Sequence, residues 1–370
     1  MTFLIVTHVP HIQQQNHYFA YAPYVREMNV WIKQVDKVII VAPITKAFKS
    51  DIDSPYEHKN IELIPIKRFD MLSLKASLYS LFKIPRISIS LYKAMRKANH
   101  IHLRCPGNIG LLGCCVQILF PNKIKTAKYA GNWDPKSKQP WSYKLQKWIL
   151  ENTFLTRNMQ VLVYGEWAGS TKNIQPFFTA TYTEADKLLV FKKDQKERID
   201  FVFVGTLVKG KNPLYAVQLA EALHKKGFDL TLTLYGEGTE RELLEHYISL
   251  HNLEKIVALK GNQTQEIIKK AYQKSHFVIL PSESEGWPKV IAEGMFWGCV
   301  PLATPVSCVP FMLDHSSRGL LLTMNKEKDL LQIENLLANK IEYAVKSKKS
   351  IDWSRQYTMD VFEQEVKKLL

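Results

Sequence analysis

The chain is short of acid where it is richest in base, has few cysteines, and contains no apolar run long enough to cross a bilayer. Its five cysteines, Cys105, Cys114, Cys115, Cys299 and Cys308, form an odd number and include no C-x-x-C pair. That excludes a disulfide framework and a cysteine zinc site and leaves buried thiols as the expectation. The longest nearly uninterrupted apolar stretch, Ile109–Phe120, falls well below the about 20 residues a spanning helix needs, so a buried core helix is expected there. The opening residues MTFLIVTHVP lack a basic leader and a small-residue cleavage site and read as a first buried strand, which makes the cytoplasm the expected location. There is no internal repeat or low-complexity tract.

The missing acid is localised. Residues 1–200 hold 29 Lys/Arg against 15 Asp/Glu, whereas residues 201–370 hold 21 against 20, so nearly all of the net charge of +15 belongs to the first half. Within Lys67–Lys172 there are 18 basic residues and four acids, Asp70, Asp134, Glu151 and Glu166. Such a patch attracts phosphate-rich partners. From Met71 to His100 the chain mixes Leu72, Leu74, Leu78, Leu81, Phe82, Ile84, Ile87, Ile89 and Leu91 with Lys75, Lys83, Arg86, Lys93, Arg96 and Lys97, and has no acid. Two readings stay open: surface helices with solvated lysines, or an anionic membrane surface on the inner face of the cell membrane to which the protein attaches peripherally. Nucleic acid is the partner this mixture favours least.

With 370 residues, 46% of them hydrophobic, the chain is long enough for two ordinary domains. The first half alternates short apolar strands, at Phe3–Thr7, Lys37–Ala42, Ile61–Ile66, His100–Arg104, Thr126–Tyr129 and Val161–Tyr164, with longer helical segments. That alternation predicts an α/β domain with a parallel sheet over 1–190. Thr179–Glu197 has no clear period and is the expected linker. The pattern restarts with Phe201–Val204, a helix over Pro213–Lys225, the strand Leu230–Tyr235, a helix over Thr239–Leu250 and Val257–Leu259. This predicts a second doubly wound domain over 198–352.

The densest chemistry lies in His276–Thr304, HFVILPSESEGWPKVIAEGMFWGCVPLAT. The spacing predicts a buried strand to Leu280, a loop over Pro281–Trp287, a helix over Pro288–Trp297 with proline in its first turn, a stop at Gly298 and a next strand from Cys299. The N–H groups of Gly286–Lys289 carry the positive end of the helix dipole, where a diphosphate can sit. Glu285 lies just outside that start and Glu293 one to two turns inside it. A carboxylate accepts well from vicinal diols, so a nucleotide sugar, with a ribose and a hexose either side of a diphosphate, matches all three elements.

The segment resembles the E-x7-E signature of the retaining family 4 glycosyltransferases, the glycosyl transferases group 1, which have the GT-B fold of two Rossmann-like, doubly wound parallel-sheet domains facing a cleft. The resemblance implies that Glu293 binds the donor ribose, that Glu285 lies near the donor sugar, and that Gly286, Trp287 and Pro288 line the diphosphate. It also implies a C-terminal helix, 353–370, crossing back to the first domain. Phe201–Pro213, FVFVGTLVKGKNP, resembles the family's G-R-L-x-x-x-K-G element, with Gly205, Leu207 and Lys211 matching and Thr206 where the arginine is expected. Lys209 is a flexible ammonium able to reach the same oxygens. Leu234–Arg241, LYGEGTER, resembles the family's glycine-rich turn through Gly236 and Gly238, which would let the nucleotide approach the backbone. Gly261, Asn262 and Gln263 follow a strand where the family reads the nucleobase.

The first domain departs from the family. His8-Val9-Pro10-His11-Ile12-Gln13-Gln14-Gln15-Asn16-His17 stands where a glycine-rich loop is usual, and reads as a polar loop at a strand end without the carboxylates a metal would want. Lys128-Tyr129-Ala130-Gly131-Asn132-Trp133-Asp134 stands where a histidine is often found. Asn132 or Asp134 could orient the acceptor or donor sugar, or Asp134 could simply cap a loop before Pro135. Arg104 could meet phosphate or acceptor, or brace its loop. Asp51-Ile52-Asp53 formally matches the D-x-D of a metal-dependent fold but precedes Ser54-Pro55 and reads as a turn.

The resemblance thus implies a metal-independent glycosyltransferase of the hexosyltransferase type, with Glu285, Lys211 and Asn132 as catalytic candidates. No cofactor is expected beyond the nucleotide-diphosphate sugar as donor, and no nucleic acid. The basic first domain adds the expectation of a saccharide or lipid-linked saccharide acceptor from capsule, exopolysaccharide or lipopolysaccharide assembly. Two competing readings are a nucleotide-sugar epimerase with a similar fold and a basic nucleic-acid-binding module; the latter explains the charge but not the paired glutamates.

Overall fold

The computed structural model describes residues 1–15, 17–50, 52–67, 74–190, 193 and 198–370, with the backbone alone given for 74–82. The chain divides into two units, Met1–Phe178 together with Phe362–Leu370, and Thr179–Val361.

The apolar runs of the first unit, such as TFLIV, can be buried on both faces only as inner strands of a parallel sheet, and they are. In chain order the elements are β1 (Thr2–Val6), β2 (Ile12–Gln14), β3 (His17–Tyr21), α1 (Ala22–Ile32), β4 (Lys37–Pro43), β5 (Asp53–Pro55), β6 (Ile61–Ile66), α2 (Leu74–Lys97), β7 (His100–Cys105), α3 (Asn108–Val116), β8 (Ile124–Tyr129), α4 (Trp141–Glu151), β9 (Met159–Tyr164) and β10 (Ile174–Phe177). Seven strands form one sheet in the order β10-β9-β8-β7-β1-β4-β6, all pairs parallel. The order reverses between β1 and β7, as in a doubly wound fold. Helices α2, α3 and α4 cover one face, packing Leu91, Met95, Ile109, Cys114, Ile149 and Leu150 against Leu4, Val6, Leu103 and Val161.

The stretch read as a polar loop after β1 is instead ordered, in its described residues, into a three-stranded antiparallel sheet, β2-β3-β5. The signal was masked because His11 is a core residue: its ring is fully buried, stacks on Tyr56 and shares a 2.8 Å hydrogen bond with the Tyr56 hydroxyl. Asp51 and Leu72 lie outside the described residues. Asp53 accepts from the Ser50 backbone N–H (2.9 Å) and hydroxyl (2.7 Å), which closes a turn.

The second unit contains β11 (Ile199–Val204), α5 (Pro213–Lys225), β12 (Leu230–Tyr235), α6 (Arg241–Leu250), β13 (Val257–Leu259), α7 (Gln265–Lys274), β14 (Phe277–Leu280), α8 (Lys289–Phe296), β15 (Val300–Ala303), α9 (Val309–Met312), β16 (Leu320–Leu321), α10 (Lys326–Ala338) and α11 (Lys340–Ser354); α12 (Met359–Leu369) starts in it and from Phe362 onward counts with the first unit. Its sheet runs β13-β12-β11-β14-β15-β16, again parallel throughout and reversing between β11 and β14. Both halves therefore repeat one winding, the two Rossmann-like, doubly wound domains expected of the GT-B fold.

Two expectations about boundaries change. Thr179–Val190, expected in the linker, counts with the second unit, where Thr183 and Asp186 cap each other's backbone N–H. Trp353–Leu370 is not a single helix: α11 stops at Ser354, and the Thr358 hydroxyl, 3.3 Å from the Val361 N–H, opens α12.

Candidate functional site

In an open parallel sheet the loops at the carboxyl ends of the strands converge where the strand order reverses, and ligands bind there. In the second unit that point lies between β11 and β14. The loop after β11 carries Gly205, Thr206, Lys209 and Lys211; the loop after β14 carries Glu285, Gly286, Trp287 and Pro288. Lys209–Lys211 is a single tight turn, ended by Asn212 in the left-handed conformation (φ 48°) ahead of Pro213, which opens α5. Three contacts join the two loops. Asn212 Nδ2 donates to the Pro281 carbonyl (2.9 Å), the Glu283 N–H donates to the Gly210 carbonyl (2.9 Å), and Lys211 Nζ forms an ion pair with Glu285 Oε1. Thr206 and Lys209, on the same loop as Lys211, are exposed.

The loops after β12 and β13 complete the row. The Gly205 N–H donates to the Tyr235 carbonyl (2.9 Å), the Leu207 N–H to that of Glu237 (2.9 Å), and the Gly236 N–H to that of Gly261 (2.9 Å). A Cβ at Gly236 or Gly238 would strike the carbonyl oxygen of Gly205 or Leu207 respectively. The close backbone approach these glycines permit in the structure is therefore that of the neighbouring loop. Asn262, just beyond Gly261, is exposed.

Helix α8 begins one residue later than the spacing predicts. Pro288 is its N-cap and has no N–H, and the ladder starts with Ile291, whose N–H donates to the Pro288 carbonyl (3.0 Å). Gly286 is fixed from behind, its carbonyl accepting from the Ser307 hydroxyl and the Cys308 thiol, both 3.1 Å. Burial pushes the Cys308 thiol up to about 12, so it stays a donor. Trp287 does not face outward: it is buried, stacks on Trp353 (6.0 Å between ring centres) and meets Tyr357 edge-on. Its position secures the loop through aromatic packing.

Glu293, on the second turn of α8, accepts from the Thr181 hydroxyl (2.6 Å) and the Tyr272 hydroxyl (3.3 Å). Burial, then the Glu293 charge, hold the Tyr272 phenol well above its ordinary pKa, which keeps it a donor. A small hollow lined by Thr179, Thr181, Lys289, Ala292, Glu293 and Tyr357 lies beside this carboxylate. Neither partner was foreseen. Thr181 lies in the segment without a period, and Tyr272 reads in sequence only as an apolar residue of α7.

The first-unit candidates lie on loops and strands of their own sheet. Asn132 follows β8 and accepts the Asp134 N–H at 2.9 Å, while Asp134 accepts the Lys136 N–H at 2.8 Å, two successive side-chain turns. Arg104 is a half-buried brace: its Nη1 donates to Glu27 (2.9 Å) and its guanidinium lies over Tyr24. Among the described residues no three His, Cys, Asp or Glu side chains are grouped to hold a metal ion, and no helix is long and apolar enough to cross a membrane.

Comparison with known proteins agrees with this geometry. Residues 186–353 match the family described as "Glycosyl transferases group 1". The UDP-N-acetylglucosamine–peptide N-acetylglucosaminyltransferase GtfA subunit of Limosilactobacillus reuteri subsp. suis is 30% identical over 155 residues, 41% of this chain and 30% of the relative. An uncharacterized glycosyltransferase of Haemophilus influenzae is 29% identical over 171 residues, 45% of this chain and 47% of the relative. The matched segment thus spans less than half the length of these curated relatives. Over 100% of the chain, the fold is like that of the sucrose-phosphate synthase of Thermosynechococcus elongatus (TM-score 0.68, 17% identity, 98% of that chain). It is equally like that of the Anabaena protein HepE in complex with UDP and glucose (TM-score 0.67, 13% identity, 98% of that chain). At these identities the likeness is one of fold.

Proposed function

We propose that this chain, whose residues 186–353 match the glycosyl transferases group 1 family, transfers a sugar from a nucleotide-diphosphate donor to an acceptor hydroxyl. The observation that carries the reading is the alignment, at the carboxyl ends of the four adjacent strands β13, β12, β11 and β14, of Asn262, Gly236 and Gly238, Lys209 and Lys211, and Glu285 with the start of α8. Diol-accepting carboxylates, Glu285 and Glu293, flank cations and a helix start suited to a diphosphate.

In the proposed reaction the acceptor oxygen bonds to the anomeric carbon on the face from which the diphosphate leaves, and the departing phosphate oxygen takes the acceptor proton, so that configuration is retained. No carboxylate is needed as a covalent nucleophile. Lys211 and Lys209, with the dipole of α8, stabilise the charge that develops on the leaving group. Glu285 holds the donor sugar and Glu293 the ribose, whose hydroxyls would replace that of Thr181. Asn132 is the first unit's candidate for orienting the acceptor. The chemistry asks for no metal ion.

The acceptor we propose is a lipid-linked saccharide of surface polysaccharide assembly, met at an anionic membrane surface. The support is the 18-to-four excess of base over acid in Lys67–Lys172. The test is thermal-shift screening against a panel of nucleotide sugars, followed by a transfer assay with the stabilising donor. A donor present at about 100 times its Kd stabilises by about 2.7 kcal/mol. Stabilisation by none of the panel, with salt-sensitive RNA binding instead, would replace this reading with a nucleic-acid-binding one.

A further inference from the structure

Helix α4 presents three of its large apolar residues outward. Its sequence, WSYKLQKWILE, buries Ser142, Gln146, Ile149 and Leu150 and turns Trp141, Leu145 and Trp148, spaced i, i+4, i+7, to the outside, at 62%, 37% and 58% exposure. Phe154, just past its end, is 71% exposed, with the Arg157 guanidinium 4.7 Å from its ring centre. Two buried polar side chains and two exposed indoles on one helix reverse what the unit's own core would select, and contiguous exposed apolar surface marks a contact. The exposed charges on and around this helix are Lys136, Lys138, Lys144 and Arg157 against Glu151.

The feature extends across the layer. Helices α2, α3 and α4 cover the same face of the sheet, and the described part of α2 exposes Ile89 and Tyr92 next to Lys93, Arg96 and Lys97. We propose that the outer surface of this helical layer is where the first unit lies on an anionic lipid bilayer, with Trp141, Trp148 and Phe154 seated at the headgroup level. The proposal deepens, and rests on, the reading of a membrane-borne acceptor. It centres the apolar contact on α4, whereas the segment in which the sequence left a membrane contact open, 71–100, is that of α2. Indole rings favour the membrane interface, having an apolar body and a polar N–H, and the flanking lysines meet anionic headgroups. A second copy of the chain fits this face poorly, because a two-fold contact sets the same patch against itself and so lysine against lysine.

The test is co-sedimentation of the full chain with vesicles of phosphatidylcholine alone and with phosphatidylglycerol added. Wild type should bind the anionic vesicles at least about tenfold better. Trp141→Ser with Trp148→Ser should lower that binding about tenfold, as should Lys136→Glu with Lys138→Glu and Lys144→Glu. Both variants should keep the wild-type Tm and the wild-type thermal shift with a nucleotide sugar. That shift, measured without vesicles, reports separately on the sugar-transfer reading. Equal binding to both vesicles, or a tryptophan variant that binds like wild type, overturns the proposal. So does a wild-type dimer in sedimentation velocity that the tryptophan variant abolishes, which would assign the face to a second copy.

Discussion

Lys211 and Glu285 form an ion pair across the point where the strand order of the second sheet reverses, tying the loop after β11 to the loop after β14. The pair holds a cation and a carboxylate side by side where a diphosphate and its sugar would need them, so it serves the fold and the proposed site together. Its partners differ in burial, Lys211 being 28% exposed and Glu285 9%.

That difference separates the two single variants. Lys211→Met leaves the more buried Glu285 without its cation and should cost roughly 1–3 kcal/mol, whereas Glu285→Gln leaves a lysine that can reach water and should cost less. Scanning calorimetry should therefore give the lower Tm to Lys211→Met. Both variants should lose at least about tenfold in turnover, since each removes a group proposed to act in the transition state. Full turnover in Glu285→Gln would remove that residue from the donor site.

Glu293 gives a second test. Glu293→Gln sets an amide N–H against the hydroxyl of Thr181 or of Tyr272, and should cost about 1–2 kcal/mol of stability while abolishing the stabilisation by a nucleotide sugar. Thr181→Val empties one acceptor position on the carboxylate for the ribose, so donor affinity measured by calorimetric titration should equal or exceed that of wild type. A fall in affinity would mean that Thr181 itself binds the donor.

The glycines of the β12 loop predict a contrast inside one site. Gly238→Ala drives a Cβ into the Leu207 carbonyl and should destabilise the second unit by about 1–3 kcal/mol or more. Gly210→Ala, where an added Cβ meets nothing within 4 Å, should leave the urea midpoint unchanged. Equal midpoints for the two variants would mean that the loops part easily.

These residues also mark how far the sequence could be read. The placement of the residues from Gly205 to Glu293 at the strand ends was legible because each sits at a fixed step from an apolar strand, and a strand followed by a glycine-rich turn has few ways to fold. The packing direction of a side chain was not legible. Trp287 is read as a donor contact from its place in the motif but turns into Trp353, more than 60 residues along the chain, and long-range pairing of that kind leaves no periodic trace. The hairpin after β1 was hidden by its composition, since His11 and the glutamines look solvent-loving until Tyr56 is seen covering the imidazole. The outward apolar stripe of α4 was equally invisible, because its spacing of apolar residues is that of any amphipathic helix, and which residues face inward is decided by α3 and the sheet.

Buried histidines in the first unit predict a pH dependence of stability. Burial lowers His11 to about 4 and His100 to about 4, and His102 well below its ordinary value. His100 Nε2 and His102 Nδ1 share the Thr126 hydroxyl at 2.9 Å each, while the second ring nitrogen of each finds no partner among the described residues, so a proton there would be a buried, unsolvated charge. Well above pH about 6.5 neither the folded nor the unfolded chain holds these protons and stability is complete. As pH falls from 6.5 toward 4 the unfolded chain takes up protons that the folded one refuses, and stability drops by roughly 1.4 kcal/mol per pH unit for each histidine. Urea unfolding followed between pH 7.5 and 5 should show this slope, and His100→Gln should lessen it by about one histidine's share. A urea midpoint that stays level over that range would show that these imidazoles are reached by water in the folded protein.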